Sequence, residues 1–446
     1  MKYEKWSLGY WFLKQYIRFA DWLIYKKIII TGKDKIPRHK PTVFAPNHQN
    51  ALSDPMAVLL HTRFQPVWLG RADIFGKSKV VDAVLRFMKI LPVYRLRDGK
   101  ENLDKNEKTF ADSIKVLENN FALALFPEAA HSAKRQMLTH KKAVPRIVFM
   151  AEEKSDNHLD IQIIPTGIYY SHYWKFNRTV IVNFGEPVAV NNFLEQYREN
   201  SKTAVISLKT KIQDALLPLI INFRTKRYYE SFEKIREIYG IHFLKRQTKR
   251  NTTLNRFYSD QLLAQKLDEL EAEKPAETKK IVKNAENLYS ELIKLKLRSW
   301  LITDRQNHFS RLIKNLILLI IGFPLFLYGL VFNALPFFLT DWVVQKKIKD
   351  FSFRSTFFLA AGIIIFPTFY ILQLVAFSTI IPEIWIGLLA LVSWSFAGKL
   401  AFKWYIIFRK TLGRSRLLKI KRFKPAAYKK LHEEKNELFR QLDHLI

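Results

Sequence analysis

Two long stretches almost free of charge constrain this chain more than any other feature. Residues 312–339 (LIKNLILLIIGFPLFLYGLVFNALPFFL) carry Lys314 as their only charge. Residues 356–402 carry only Glu383 and Lys399. About 20 apolar residues suffice for a helix to cross a bilayer, so the second stretch has room for two spans. Ile381-Pro382-Glu383 is the natural turn between them. The first stretch makes one span, or a re-entrant hairpin broken near Pro324. The competing reading, buried core helices, fits stretches of this length poorly. Basic residues flank both stretches: Lys346, Lys347 and Lys349 between them, Lys403 through Lys424 after them. Positive flanks stay on the cytoplasmic side. Two hairpins would keep them all there, whereas a single first span would not, and the sequence leaves both topologies open.

The charge balance points to an anionic partner. Lys and Arg number 73 against 40 Asp and Glu, a formal +33. Nucleic acid, an anionic membrane surface and an acidic soluble substrate would all answer to it. No helix-turn-helix, RNA-binding or zinc-finger pattern is present. With the apolar stretches alongside, the expectation is an anionic phospholipid membrane and no nucleic acid. The absence of cysteine excludes disulfides, thiolate catalysis and Cys-based metal sites. Residues 1–27 contain the run WSLGYWFLKQYIRFADWLIYKK. Lys14 and Arg18 interrupt it and no small-residue cleavage site follows, so it does not read as a clean signal peptide. It is expected to form an amphipathic aromatic helix at a membrane interface; the alternative is a core-packing helix whose basic residues face water.

From 28 to 190, short apolar runs alternate with helical patterns. The strand-like runs are 28–31, 42–46, 66–70, 90–95, 122–127, 161–170 and 179–185. Helix-like segments lie at 55–64, 79–89 and 106–120. This interleaving predicts an α/β domain, a mostly parallel sheet with flanking helices. Residues 191–311 read as a charged helical region with a break at Pro275. An α-helical membrane domain over 312–405 and a basic tail over 406–446 complete the expected order.

The candidate chemistry sits at strand ends. Asn47 and His48 follow one strand, Arg71 and Arg95 two others, Glu128 a fourth, with Ile164-Pro165-Thr166-Gly167 further on. In APNHQNALSDP, Asp54 before Pro55 reads as a helix cap with Pro55 as first helical residue. A capped carboxylate is also fixed in position, so it can orient an imidazole. Six residues along a continuous helix would splay the two side chains by about 120°. His48 and Asp54 therefore meet only if residues 49–53 form a loop or turn. No Gly-x-Ser-x-Gly elbow occurs. The other histidines, among them His61, His140, His158 and His172, lack ligand spacing, so no metal is expected.

Taken in order, these blocks resemble the phospholipid/glycerol acyltransferase family. NHQNALSD resembles its His-x4-Asp motif, RADIFGK with PVYR its second block, FPEAAHS its third, and IPTGIYY its Pro-containing fourth. Five residues, rather than four, separate His48 from Asp54, which resembles the membrane-bound glycerol-3-phosphate/dihydroxyacetone-phosphate branch. Ala129, Ala130 and His131 replace the usual Gly, Thr and Arg; His131, Lys134 or Arg135 could supply the missing cation. The resemblance implies His48 as general base oriented by Asp54, and an acceptor site formed by Asn47, Arg71, Arg95, Glu128, His131 and Pro165. It implies no bound cofactor, a glycerol phosphate acceptor, and acyl-CoA or acyl-carrier protein as thioester donor. It also implies residence at the cell's inner membrane with the acyltransferase domain on the cytoplasmic face. Alternatives are acylation of 1-acylglycerol-3-phosphate, acylation of another lipid such as an ornithine lipid or lipid A precursor, and a non-catalytic membrane scaffold with a decayed acyltransferase fold.

Overall fold

The computed structural model describes residues 3–94, 104–156, 158–303, 308–349 and 351–446, without the side chains of Phe351 and Ser352. They fall into two compact units. One comprises residues 1–220 and 342–363, the other 221–341 and 364–446.

The first unit is built on eight strands: β1 (Lys27–Thr31), β2 (Thr42–Pro46), β3 (Val67–Arg71), β4 (Ile90–Val93), β5 (Ala122–Ala124), β6 (Gln162–Tyr170), β7 (Thr179–Phe184) and β8 (Val188–Ala189). Their order is β1-β7-β6-β2-β5-β3-β4, with β8 beside β6. The pairings β2 with β5 and β6, β3 with β4 and β5, and β1 with β7 are parallel. β6 runs antiparallel to β7 and β8. The link over 171–178 is too short for a crossover helix, so β7 can only return beside β6 as a hairpin. β2 and β5 are parallel neighbours, so their carboxyl ends emerge side by side. That places the segments after Pro46 and Ala124 next to each other.

Side chains alternate across the sheet as the strand period requires. Val43, Leu123 and Ile163 join one buried cluster. Phe44, Ala122, Ala124 and Ile164 join the opposite one. Before β1 runs α1 (Leu8–Ile24). Helices α2 (Ser53–Leu59), α3 (Lys79–Phe87), α4 (Lys105–Glu118) and α5 (Ala143–Lys154) follow, then α6 (Leu194–Glu199) and α7 (Ser201–Leu216). Residues of α4, α5 and α7 cover the first face, and Ala57 and Val58 of α2 cover the second. With both faces covered, near-continuous apolar strands are what the architecture demands. Gly167 of IPTGIYY has a packing reason: a Cβ there would lie 2.1 Å from the Leu219 carbonyl oxygen.

α1 inverts the simplest amphipathic arrangement. Tyr10, Lys14, Ile17 and Asp21 face inward, while Trp11, Phe12, Phe19 and Trp22 are exposed. Lys14 Nζ donates to the carbonyls of Thr62 and Phe64 at 2.7 and 2.8 Å. Burial pushes this amine down to about 8 and the Asp21 carboxyl up to about 7. A helix with buried charges and exposed aromatics is the reverse of a core-packing helix whose basic residues all face water.

The second unit is helical. It contains α8 (Tyr229–Arg246), α9 (Thr253–Glu273), α10 (Pro275–Lys294) and α11 (Ser299–Thr303). The expected break at Pro275 is the start of α10, where proline's missing N–H costs nothing. Then come α12 (His308–Lys347), α13 (Phe351–Ser378), α14 (Ile384–Phe423) and α15 (Pro425–Leu445), of which α12 from residue 342 and α13 up to residue 363 belong to the first unit. α12 to α14 are long and apolar enough to cross a membrane. α12 continues through Pro324 and Pro336, so the first apolar stretch is one helix and not a hairpin. Within this unit the buried Asn333 amide ties the three together. It donates to the carbonyls of Gly329 and Trp394, and its oxygen accepts from the Tyr370 hydroxyl at 2.6 Å. Gly329 lets the α12 backbone approach Ala397 and Ala401 of α14, the small-residue packing typical of apolar helices.

Candidate active site

The site starts where β2 ends. Asn47 is 1% exposed and tied to β6 at three points. Its backbone N–H donates to the Thr166 carbonyl, its amide nitrogen to the Ile168 carbonyl, and its oxygen accepts from the Ile168 N–H at 2.6 Å. Asn47 thus fixes the point where the chain leaves the sheet, which positions His48.

Residues 47–52 form loop and turn, with Ala51 in the left-handed region at φ 43°. α2 begins at Ser53, and Asp54 lies inside it. Asp54 is therefore not the N-cap; that position falls to Leu52, which has no side-chain cap. The carboxylate reaches backward instead. Its Oδ2 accepts the Gln49 and Asn50 backbone N–H groups, both at 2.7 Å, and lies 2.8 Å from His48 Nδ1. The two amides hold the carboxylate in place, and it faces the ring from full burial, at 0% exposure. An acceptor at Nδ1 places the imidazole proton on that nitrogen and leaves the Nε2 lone pair for an incoming hydroxyl.

The FPEAAHS segment after β5 clasps the same loop. Phe126 stacks on the His48 ring with centroids 3.8 Å apart and planes at 10°. Ser132 N–H donates to the His48 carbonyl at 3.2 Å. Glu128 accepts the His48 N–H through Oε1 at 3.4 Å and the Leu138 N–H through Oε2 at 3.3 Å. Burial, aided by the nearby Asp54 charge and opposed by those two N–H groups, pushes Glu128 up to about 8. At 2% exposure it meets His48 through that residue's backbone N–H. His131 is half-buried, its ring 5.3 Å from His48 and 5.1 Å from Phe353.

The other expected residues are more scattered. Arg71, at the end of β3, is half exposed and forms an ion pair with Asp73. Pro165 lies within β6 opposite Ala45, its carbonyl accepting the Gly185 N–H at 2.8 Å. Arg95 lies outside the described residues. Arg135, considered above as a replacement cation, is 5% exposed, donates to the Tyr170 carbonyl and stacks against Tyr169 and Tyr173. It is built into the domain interior rather than aimed at a substrate. His61 and His140 are buried, and burial pushes each down to about 4. Among the described residues no group of three or more His, Cys, Asp or Glu is placed to hold a metal.

Sequence reasoning missed Arg178. Its guanidinium is 5% exposed and lies between the Tyr25 and Tyr170 rings, 5.0 and 4.9 Å from their centroids. It donates to the Tyr25 hydroxyl, to Ser53 Oγ and to the Tyr173 carbonyl. The Tyr170 phenol, buried against Asp54, is held well above its ordinary range, by burial first and by that carboxylate second. An arginine just before a strand carries no sequence mark of such a role. The better clue was the unusual density of polar residues between His48 and Asp54.

Residues 27–169 match the family described as Acyltransferase. Glycerol-3-phosphate O-acyltransferase 2 of Saccharomyces cerevisiae is 26% identical over 123 residues, 27% of this chain and 16% of that protein. Its glycerol-3-phosphate O-acyltransferase 1 is 26% identical over 132 residues, 28% of this chain and 17% of that protein. An uncharacterized acyltransferase of Schizosaccharomyces pombe is 30% identical over 103 residues, 22% and 15% of the two chains. The chain thus spans about a sixth of the length of the curated relatives it matches. The solved 1-acyl-sn-glycerophosphate acyltransferase of Thermotoga maritima aligns over 45% of this chain and 78% of its own, at TM-score 0.32 and 18% identity. The strand-end blocks, the mostly parallel sheet that carries them and the match over 27–169 converge: this chain contains an Acyltransferase-family domain.

Proposed function

We propose that the chain is a membrane-bound O-acyltransferase. It transfers a fatty acyl group from a thioester to glycerol-3-phosphate or dihydroxyacetone phosphate, a step toward phosphatidate. The observation that carries this reading is the buried Asp54 carboxylate, held by two backbone amides, 2.8 Å from His48 Nδ1. His48 Nε2 takes the proton of the acceptor hydroxyl, and the oxygen attacks the thioester carbonyl carbon. The tetrahedral adduct expels the thiolate, which receives that proton from the imidazolium. Asp54 stabilises the imidazolium and keeps its tautomer. No acyl-enzyme is needed, in keeping with a chain that has no cysteine. Arg71 and Arg95 are the cations proposed for the acceptor phosphate, a guanidinium being able to bind two of its oxygens. The donor is acyl-CoA or acyl-carrier protein.

Three helices of spanning length support the membrane assignment, as do the exposed aromatics of α1 and the +33 charge. Anionic lipid attracts such a surface, and the acyl chain need not cross water. The test is direct. Membranes containing the protein are given a labelled acyl thioester with glycerol-3-phosphate, dihydroxyacetone phosphate or 1-acylglycerol-3-phosphate in parallel. Labelled product is expected with one of the first two acceptors. Product with 1-acylglycerol-3-phosphate alone moves the acceptor assignment one step along. Product with none of the three contradicts this acceptor assignment and favours either another lipid acceptor or a scaffold.

A further inference from the structure

The segment between His48 and Asp54 is Gln49-Asn50-Ala51-Leu52-Ser53, and its three polar side chains are buried, Gln49 and Ser53 at 5% exposure and Asn50 at 1%. Buried polar groups are stable only when bonded. Gln49 Oε1 accepts from the Tyr173 hydroxyl at 3.1 Å. Asn50 Nδ2 donates to the Tyr173 carbonyl at 2.9 Å. The remaining partner comes from more than three hundred positions downstream, at the start of apolar helix α13. Ser355 Oγ donates to Asn50 Oδ1 at 2.8 Å and lies 3.1 Å from Ser53 Oγ. The first three turns of α13, through Ile363, belong to the same unit as the sheet.

The donors and acceptors here have one consistent assignment. Arg178 Nη2 can only donate, and it lies 3.4 Å from Ser53 Oγ. Asn50 Nδ2 is used on Tyr173, so Asn50 Oδ1 can only accept. Ser53 therefore accepts from Arg178 and donates to Ser355, and Ser355 donates to Asn50. Protons point one way along Arg178, Ser53, Ser355 and Asn50. Ser355 is the link that must both accept and donate. The chain ends on the residue whose own N–H holds Asp54 Oδ2 at 2.7 Å.

We infer that Ser355 is a positioning residue for the acyl-transfer reaction. The first turns of α13 are thus part of the catalytic apparatus and not an anchor alone. This rests on the reading of His48 and Asp54 given above. Without the hydroxyl, Asn50 Oδ1 and the Ser53 O–H would both be buried and unpaired. The loop would shift to regain partners and carry the two amides away from Asp54. Two further contacts seat α13 on this unit: Tyr16 O–H of α1 donates to the Ile363 carbonyl at 2.7 Å, and Phe353 packs on His131.

The experiment uses the full chain in membranes. Acyl transfer is measured for Ser355→Ala, Ser355→Thr, Asn50→Ala, the double variant Ser355→Ala/Asn50→Ala, and His48→Ala. Loss of buried pairing at an orienting group predicts about a tenfold lower kcat for Ser355→Ala with KM within about twofold. Ser355→Thr, which keeps the hydroxyl, restores kcat. The double variant is no slower than Asn50→Ala alone, because both changes break one chain of bonds. Parental kcat in Ser355→Ala, or losses that multiply in the double variant, overturn the inference. If Ser355→Ala fails to fold, Ser355→Val fills the volume of threonine without its hydroxyl, and a kcat equal to that of Ser355→Thr overturns it equally. Loss of activity in His48→Ala beside a parental Ser355→Ala refutes this inference alone. Parental activity in His48→Ala refutes the underlying reading and this inference with it.

Discussion

Two aspartates buried to the same depth, Asp54 in the first unit and Asp260 in the second, have opposite surroundings. Asp260 is 1% exposed and bracketed by two guanidiniums: Arg236 Nη1 lies 2.8 Å from Oδ2, and Arg256 Nε 2.7 Å from Oδ1. Its charge is matched by permanent cations, and Arg236 is further held by Glu233. Asp54 is held by neutral backbone N–H groups and by an imidazole that carries charge only when protonated. Surroundings like those of Asp260 bind helices together. Surroundings like those of Asp54 leave a negative charge ready for an imidazolium that forms during a reaction. Under the proposed function, the kind of partner, and not the depth of burial, separates the structural Asp260 from the reactive Asp54.

The comparison can be broken most forcefully at Asp54. Replacing it with Asn keeps the shape, its oxygen taking the place of Oδ2 against the two backbone N–H groups and Nδ1, but removes the carboxylate charge that stabilises an imidazolium. A fall in kcat of about 10³ to 10⁴-fold is expected, with the thermal midpoint little changed. A loss under tenfold in steady-state acyl transfer would mean that Asp54 is structural after all. Asp260→Asn should do the reverse. It strands two guanidiniums and costs about 3–5 kcal/mol of stability by denaturant titration, while the folded fraction keeps its kcat.

Glu128 sharpens the contrast with a smaller effect. Its two oxygens each accept a backbone N–H, and burial raises it from its ordinary 4.5 to about 8. The folded state therefore holds a proton that the unfolded chain releases near its ordinary value. Stability should fall as pH rises through that window and level off above it. Glu128→Gln should flatten this slope in unfolding measurements between those pH values, with kcat reduced about tenfold through the His48 backbone.

Much of the fold was legible because apolar strand runs and polar strand ends are local signals. The expected strand at 42–46 and the helix-like segment at 106–120 appear as β2 and α4. The antiparallel return of β7 was not legible, since an apolar run such as TVIVNF reads alike in either direction. The turn over residues 49–53 was deducible from spacing, apart from Ser53, which already opens α2. The backward reach of Asp54 was not, because DP at a helix start looks the same whichever way the carboxylate points. Arg178 and Ser355 were illegible for another reason. Each works through long-range contacts, and within FSFRSTFF either of the two serines reads only as a tolerated polar residue in an apolar helix.

The central claim is that His48 Nε2, with Asp54 behind it, takes the proton of the acceptor hydroxyl. Its most direct test is acyl transfer from a labelled thioester to glycerol phosphate by membranes bearing His48→Ala, beside the parent at equal folded amount. The account predicts that the parent forms labelled product and His48→Ala forms none above the uncatalysed background. Product at the parental rate from His48→Ala would contradict it.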